Sequence, residues 1–140
     1  MIPGLRLDHV GYAVESIERY LADFLVPLFE PESVSSTVED PLQRVRIAVV
    51  TLRGGHQIEL IEPANRESPI SRFLRQKRGG LYHCCYAVDD LAKAMRQFVD
   101  KGCVLISGPA PACALDNRKV VFLFTPHHDV IELVEERRPL

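Results

Sequence analysis

Hydrophobic and polar positions alternate with period two over residues 5–14: Leu7, His9, Gly11 and Ala13 share one face and Asp8, Val10, Tyr12 and Val14 the other. That is the signature of a strand. The period then changes. Ile17, Tyr20, Leu21, Phe24, Leu25 and Leu28 recur at helical spacing behind Ser16, a side chain suited to an N-cap. The pattern predicts a helix with one apolar face, stopped near Pro27 and Pro31. A weak strand over 33–38 and a strong one over 44–52 follow. Gly54-Gly55 marks a tight hairpin, and 56–62 forms the returning strand. This first stretch reads as βαβββ.

The same order then recurs. Ser68-Pro69 predicts a capped linker helix over about 69–77. A strand is expected over 80–88. A helix follows with Leu91, Ala94, Met95, Phe98 and Val99 on one face, ending at Gly102. A short strand over 103–107, a loop over 108–117 containing Pro109 and Pro111, and strands over 118–124 and 129–135 complete the pattern. The tail from Glu136 to Leu140 is expected to be loose.

The recurrence extends to individual residues. Leu7-Asp8-His9-Val10-Gly11-Tyr12-Ala13-Val14 reappears 74 positions on as Leu81-Tyr82-His83-Cys84-Cys85-Tyr86-Ala87-Val88. The same offset aligns Phe24 with Phe98, Arg44 with Arg118 and Thr51 with Thr125. One residue less, lost at a turn, aligns Ile58-Glu59-Leu60 with Ile131-Glu132-Leu133. Two copies are too few for a solenoid, so a closed pair is expected. The expected organisation is one domain over 1–140, with module 1 about 5–63, a linker helix about 68–78 and module 2 about 80–136.

Each copy carries one His and one Glu at matching places. A carboxylate inside an apolar strand is costly unless it is solvated, paired or bound to a cation. One such Glu is ordinarily a rim residue, and one strand His ordinarily structural. Two of each at equivalent positions call for a shared reason. If the modules pair about a pseudo-twofold axis, His9, Glu59, His83 and Glu132 converge, and two imidazoles with two carboxylates suit Zn, Co, Ni, Mn or Fe(II). The bland alternative is a decayed repeat around an empty cup. His127 and His128 fall in a turn and read as solvated. His56 alternates away from Glu59. Arg72, Arg75, Lys77 and Arg78 read as a solvated helix face or as a grip on the phosphates of a long ligand. Gln43, Arg44 and Arg118 read as rim or surface.

Composition narrows the class. The 140 residues are 46% hydrophobic with a net charge of −2, which offers no electrostatic case for nucleic acid. No apolar run approaches ~18 residues, so no membrane span is expected. Met1-Ile2-Pro3-Gly4-Leu5-Arg6 lacks an apolar signal core, which leaves the cytoplasm as the expected location. Cys84, Cys85, Cys103 and Cys113 form no Cys-x-x-Cys motif and are expected to be reduced and mostly buried.

The two His-containing strands, Ile58-Glu59-Leu60 and Ile131-Glu132-Leu133, with Tyr86-Ala87-Val88-Asp89-Asp90, resemble the vicinal oxygen chelate superfamily, which contains glyoxalases, extradiol dioxygenases and bleomycin-resistance proteins. The resemblance implies an α+β fold: two paired βαβββ modules forming a cup-shaped, partly open mixed β-barrel with helices outside. Within it the chain is most similar to methylmalonyl-CoA epimerases, through Glu62-Pro63, Ser68-Pro69-Ile70, Phe73-Leu74, Gly79-Gly80-Leu81 and the stretch from Arg118 to Pro126. That resemblance implies a divalent metal held by His9, Glu59, His83 and Glu132, and an acyl-CoA substrate. It also implies a homodimer and proton abstraction beside a thioester, with Glu132 and Glu59 as candidate bases. The chain departs from that pattern at Tyr82, where the family has His; at 112–117, where it has a glycine-rich loop; and at Ile47, where some epimerases place a Glu. A glyoxalase-I-like lyase would use the same four residues. A dioxygenase with two His and one carboxylate, or a metal-free binding protein, would not need all four.

Overall fold

The computed structural model describes residues 1–136; Arg137 to Leu140 lie outside the described residues, and with them most of the expected loose tail. Glu136 itself is fixed: its N–H donates to the Val88 carbonyl (2.9 Å) and its carboxylate pairs with Arg6. The chain divides into two compact units, residues 9–82, and residues 1–8 with those from His83 on.

The unit of residues 9–82 holds most of β1 (Arg6–Ala13) and a helical run. That run comprises α1 (Ile17–Tyr20), a π-helical turn (Leu21–Leu25) and α2 (Val26–Phe29). The unit also contains β2 (Ser33–Val34), β3 (Val38–Asp40), β4 (Val45–Thr51), β5 (Gln57–Pro63) and α3 (Pro69–Lys77). β1 runs parallel to β5; β4 is antiparallel to β5 and takes β2 and β3 along its other edge. The expected single strand over 33–38 is therefore two short pieces. Ser16 caps α1 as expected, accepting from the Arg19 N–H (3.2 Å). A second acceptor comes from β5: Glu62 takes the Ile17 N–H at 2.8 Å while its other oxygen accepts from Arg46 at 2.8 Å. A carboxylate there complements the positive end of the helix. Ile17 and Leu25 pack on Val14, Ala48, Val50 and Leu60, so the even-numbered face of β1 lies under the helix as alternation predicts.

The helix runs through Pro27 to Phe29 and ends, as expected, short of Pro31, with Glu30 in the left-handed region (φ 43°). The turn before the proline is widened, with the Val26 N–H donating to the Leu21 carbonyl. The widening falls where the Pro27 ring would otherwise crowd the carbonyl four residues back. It also shifts the phase of the helix. Leu25 stays buried, but Phe24, Leu28 and Phe29 face solvent, against the expected single apolar face.

The second unit repeats the plan. β6 (Gly80–Val88) runs parallel to β9 (Val130–Glu135), β9 is antiparallel to β8 (Arg118–Phe124), and β8 to β7 (Val104–Ala112). α4 (Leu91–Asp100), capped by Asp90 on the Lys93 N–H, lays Leu91 and Ala94 against Val88, Val121, Leu123 and Leu133. Val99 is exposed, contrary to expectation. The larger difference is β7. Instead of ending at residue 107 it continues through Pro109 and Pro111 to Ala112, with register shifts after Leu105 and Ser107. Among the described residues of its unit it pairs with β8 alone, and an outer strand tolerates residues without an N–H. A 3-10 turn (Cys113–Leu115) then replaces the rest of the expected loop. Arg118 ties that turn down: its Nε–H donates to the Leu115 carbonyl (3.1 Å) and its guanidinium lies 3.9 Å from Asp8.

Candidate active site

The parallel pairing sets the site in each unit. In the first, Gly11 stands opposite Glu59; in the second, Cys85 stands opposite Glu132. These are equivalent positions of the repeat, so both strand pairs keep one register. The histidine two residues earlier on the same face leans diagonally over the small residue toward the carboxylate. His9 Nε2 lies 3.4 Å from Glu59 Oε2, and His83 Nε2 lies 3.3 Å from Glu132 Oε1. All four side chains are buried, at 2–5% exposure. Each unit thus brings its predicted His and Glu together, one imidazole nitrogen against one carboxylate oxygen.

The spacing of each pair fits shared ligation. Two donor atoms about 2.1 Å from one ion, with bond angles between octahedral and tetrahedral, lie roughly 3.0–3.4 Å apart. A His–Glu hydrogen bond would be shorter, near 2.7–2.9 Å. One imidazole N and one carboxylate O, as each unit offers, is also a pairing that borderline divalent transition metals accept.

The packing around each pair differs. Across the sheet from Glu132 is Phe122, whose ring meets His83 edge-on (centroids 5.5 Å, planes at 85°). Across from Glu59 the equivalent residue is Val49. Phe122 escaped the sequence reading; the repeat register that aligns Glu59 with Glu132 could have found it. Ile47 is buried at 3% and faces Ile61, so β4 contributes an apolar side chain at that point.

The remaining residues fall elsewhere. Tyr82 packs edge-on against Phe73 (5.1 Å, 72°), and burial pushes its phenol above the usual range. Arg44 is an exposed turn residue near Glu67 (3.6 Å), and Gln43 donates its backbone N–H to Asp40. Arg118 is a structural tie. His127 and His128 are exposed in the β8–β9 turn, and His56 is exposed beside Gly55. Arg72, Arg75, Lys77 and Arg78 are solvated on α3. Of the four free thiols only Cys85 and Cys103 are buried; Cys84 is half-buried and Cys113 exposed, fewer buried than expected. Burial raises the Cys103 thiol, with Asp129 adding to the effect.

Comparison with known proteins places the chain among relatives of one family. Residues 8–122 match the Glyoxalase/Bleomycin resistance protein/Dioxygenase superfamily. An ethylmalonyl-CoA/methylmalonyl-CoA epimerase of Cereibacter sphaeroides is 30% identical over 119 residues, covering 84% of this chain and 87% of the relative. Among solved structures, a hypothetical protein of Bacillus halodurans superposes with a TM-score of 0.82 at 28% identity, over 97% of each chain. A methylmalonyl-CoA epimerase of Mycobacterium tuberculosis superposes at 0.81 and 26% identity, over 94% of this chain and 88% of the other.

Proposed function

Because the chain belongs to the glyoxalase/bleomycin resistance protein/dioxygenase superfamily, we propose that His9, Glu59, His83 and Glu132 together form one divalent-metal centre that epimerises a 2-acyl-CoA thioester of the methylmalonyl-CoA type. By kinship the chain is an epimerase-like isomerase. The observation that carries the reading is the buried His–Glu pair repeated at one register in both units. A buried carboxylate beside an imidazole has little reason to recur twice unless a cation offsets its burial.

The chemistry asks for two things. A proton must leave the carbon beside the thioester on one face and return on the other. A thioester α-proton is weakly acidic, so the charge that develops needs electrophilic help, which a bound divalent ion supplies. The proton itself is the work of this chain. Glu132, enclosed among Phe122, Cys85 and Val134, is the base on one face. Ile47 contributes no proton acceptor, so Glu59 or a water serves the other face. The apolar walls around each carboxylate exclude bulk solvent, which keeps the base poised for transfer. In this reading the enzyme works as a homodimer in the cytoplasm.

Proton exchange tests the proposal. Metal-loaded protein with (2R)- or (2S)-methylmalonyl-CoA in D2O should incorporate deuterium at C2 and lose stereochemical purity, followed by NMR. Glu132→Gln should keep the fold and cut exchange by about 10²–10⁴-fold, the usual worth of a positioned base. Exchange undiminished in that variant removes Glu132 from the role. No exchange in the metal-loaded wild type removes the epimerase reading.

A further inference from the structure

The other face of β1 carries a feature that the reaction above does not use. His9 points to one side of the strand; Tyr12, three residues on, lies on the opposite side and lines a separate cavity of about 530 Å³. That volume is within the range of small-molecule sites. One wall is an aromatic ladder. Tyr12 and Tyr20 have ring centroids 5.8 Å apart, and Tyr20 and Phe24 5.4 Å. Phe24 is 43% exposed, an uncommon place for a large apolar ring unless something covers it. The rim carries two guanidiniums, Arg19 from α1 and Arg78 from the end of α3. Among the described residues neither makes an ion pair, although Asp23 lines the same cavity.

Arg78 is also the last member of a stripe. Arg72, Arg75 and Arg78 follow one another at three-residue steps, all exposed and none in an ion pair among the described residues. Between residues 64 and 80 the basic side chains are Arg66, Arg72, Arg75, Lys77 and Arg78, against the single acid Glu67. In a chain of net charge −2 this is a local concentration of positive charge. A surface helix needs no such imbalance for its own stability, since like charges at short helical spacing repel.

Aromatic faces bind planar rings, and unpaired guanidiniums bind phosphate oxygens. Asp23 adds an acceptor for an exocyclic amino group or a ribose hydroxyl. We propose that this cavity is a nucleotide site, taking a purine ring on Tyr20 and Phe24 and its phosphates on Arg19 and Arg78, with Arg72 and Arg75 drawing the anion in. The phosphorylated adenosine has two sources: the distal end of a CoA ester, or a free nucleotide. The site does not depend on the reaction proposed for the His–Glu pairs.

Calorimetric titration of the full chain with 3′-phosphoadenosine 5′-diphosphate, ADP and inorganic phosphate tests it. Saturable one-to-one binding of either nucleotide is expected, with phosphate alone far weaker. Arg19→Gln/Arg78→Gln and, separately, Tyr20→Leu should each weaken it by about tenfold or more, a change of about 1.4 kcal/mol. Arg53→Gln, which alters a remote Arg53–Glu30 pair, should leave it unchanged. Preference for the 3′-phosphorylated compound with competition by CoA assigns the site to the CoA end; equal binding of ADP without that competition assigns it to a free nucleotide. No saturable binding of either, or binding indifferent to the arginine pair, overturns the proposal. Circular dichroism monitors folding of every variant, and if Tyr20→Leu does not fold the arginine pair decides.

Discussion

Replacing Glu132 by Gln has opposite effects on stability with and without metal, and the two signs follow from burial. The carboxylate is 2% exposed, with His83 Nε2 3.3 Å away. Without a cation the cost of burying its charge is only partly offset, and an amide of the same shape carries less of it. The chelated variant should therefore be more stable than chelated wild type by about 1–2 kcal/mol, a fraction of the full desolvation penalty because neighbouring groups relax. For a chain of this length that is a rise of about 3–8 °C in Tm. With metal at 100 times its Kd, wild type gains about 2.7 kcal/mol by mass action. Loss of one anionic ligand weakens metal binding by about 10²-fold or more, so at the same metal concentration the variant gains about 0.4 kcal/mol or less. The two stability curves should cross as metal is added. Thermal melts in chelator and across a Co²⁺ titration measure this directly. If Glu132→Gln destabilises the chelated protein and leaves the metal increment intact, Glu132 is a structural partner of His83 and not a ligand.

The repeat makes a companion prediction: His9→Gln and His83→Gln should weaken metal binding to a similar extent, within about tenfold of each other, by competition with a chromogenic chelator; a loss confined to one places the metal on a single unit. Glu62→Ala removes the acceptor of the Ile17 N–H and the partner of Arg46 together, and should cost about 1–2 kcal/mol in urea unfolding, against under 1 kcal/mol for Arg46→Ala, whose side chain is largely exposed. Tyr82 binds its proton more tightly in the folded chain than the usual phenol value of 10.0, because burial penalises phenolate. Folded protein then holds more protons than unfolded once pH passes that value, so this contribution to stability is fully present below it and is lost as pH rises through the folded value. Tyr82→Phe should flatten that alkaline loss of stability in urea titrations at stepped pH, and an ultraviolet titration should lose one phenol that ionises above the usual 10.0.

Much of the architecture is readable in the chain because local signals agree with one another. Ser68-Pro69 and the strand beginning at Gly80 fall where the spacing puts them, since the cap, the proline and the change of period coincide. The misses are of two kinds. The first helix ends between Pro27 and Pro31 as expected, but the widened turn inside it, which no side-chain pattern announces, accompanies the exposure of Phe24 and Leu28. β7 crosses Pro109 and Pro111 because one of its edges needs no partner within the unit, and only the pairing shows which strand lies outside. Local rules rank Pro109 and Pro111 as stops; the packing decides otherwise.

The two His–Glu contacts were legible for a different reason. Neither His9 nor Glu59 is informative alone, because strand histidines and glutamates are common. What identifies them is correlation between two copies, and the structure gives that correlation a mechanism. A parallel pair sets Gly11 opposite Glu59, and Cys85 opposite Glu132, so a small residue faces each carboxylate. The histidine two residues earlier lies 3.3–3.4 Å from that carboxylate. Register, small residue and histidine therefore form one unit that must be duplicated together to survive. Tyr82 and Ile47 are not part of that unit: Tyr82 packs on Phe73, on the strand face opposite His83, while Ile47 faces Ile61, two residues along the same face as Glu59. Departures from the epimerase pattern at those two positions leave both His–Glu pairs in place, and the apolar Ile47 on the face of Glu59 is the place to look for altered chemistry.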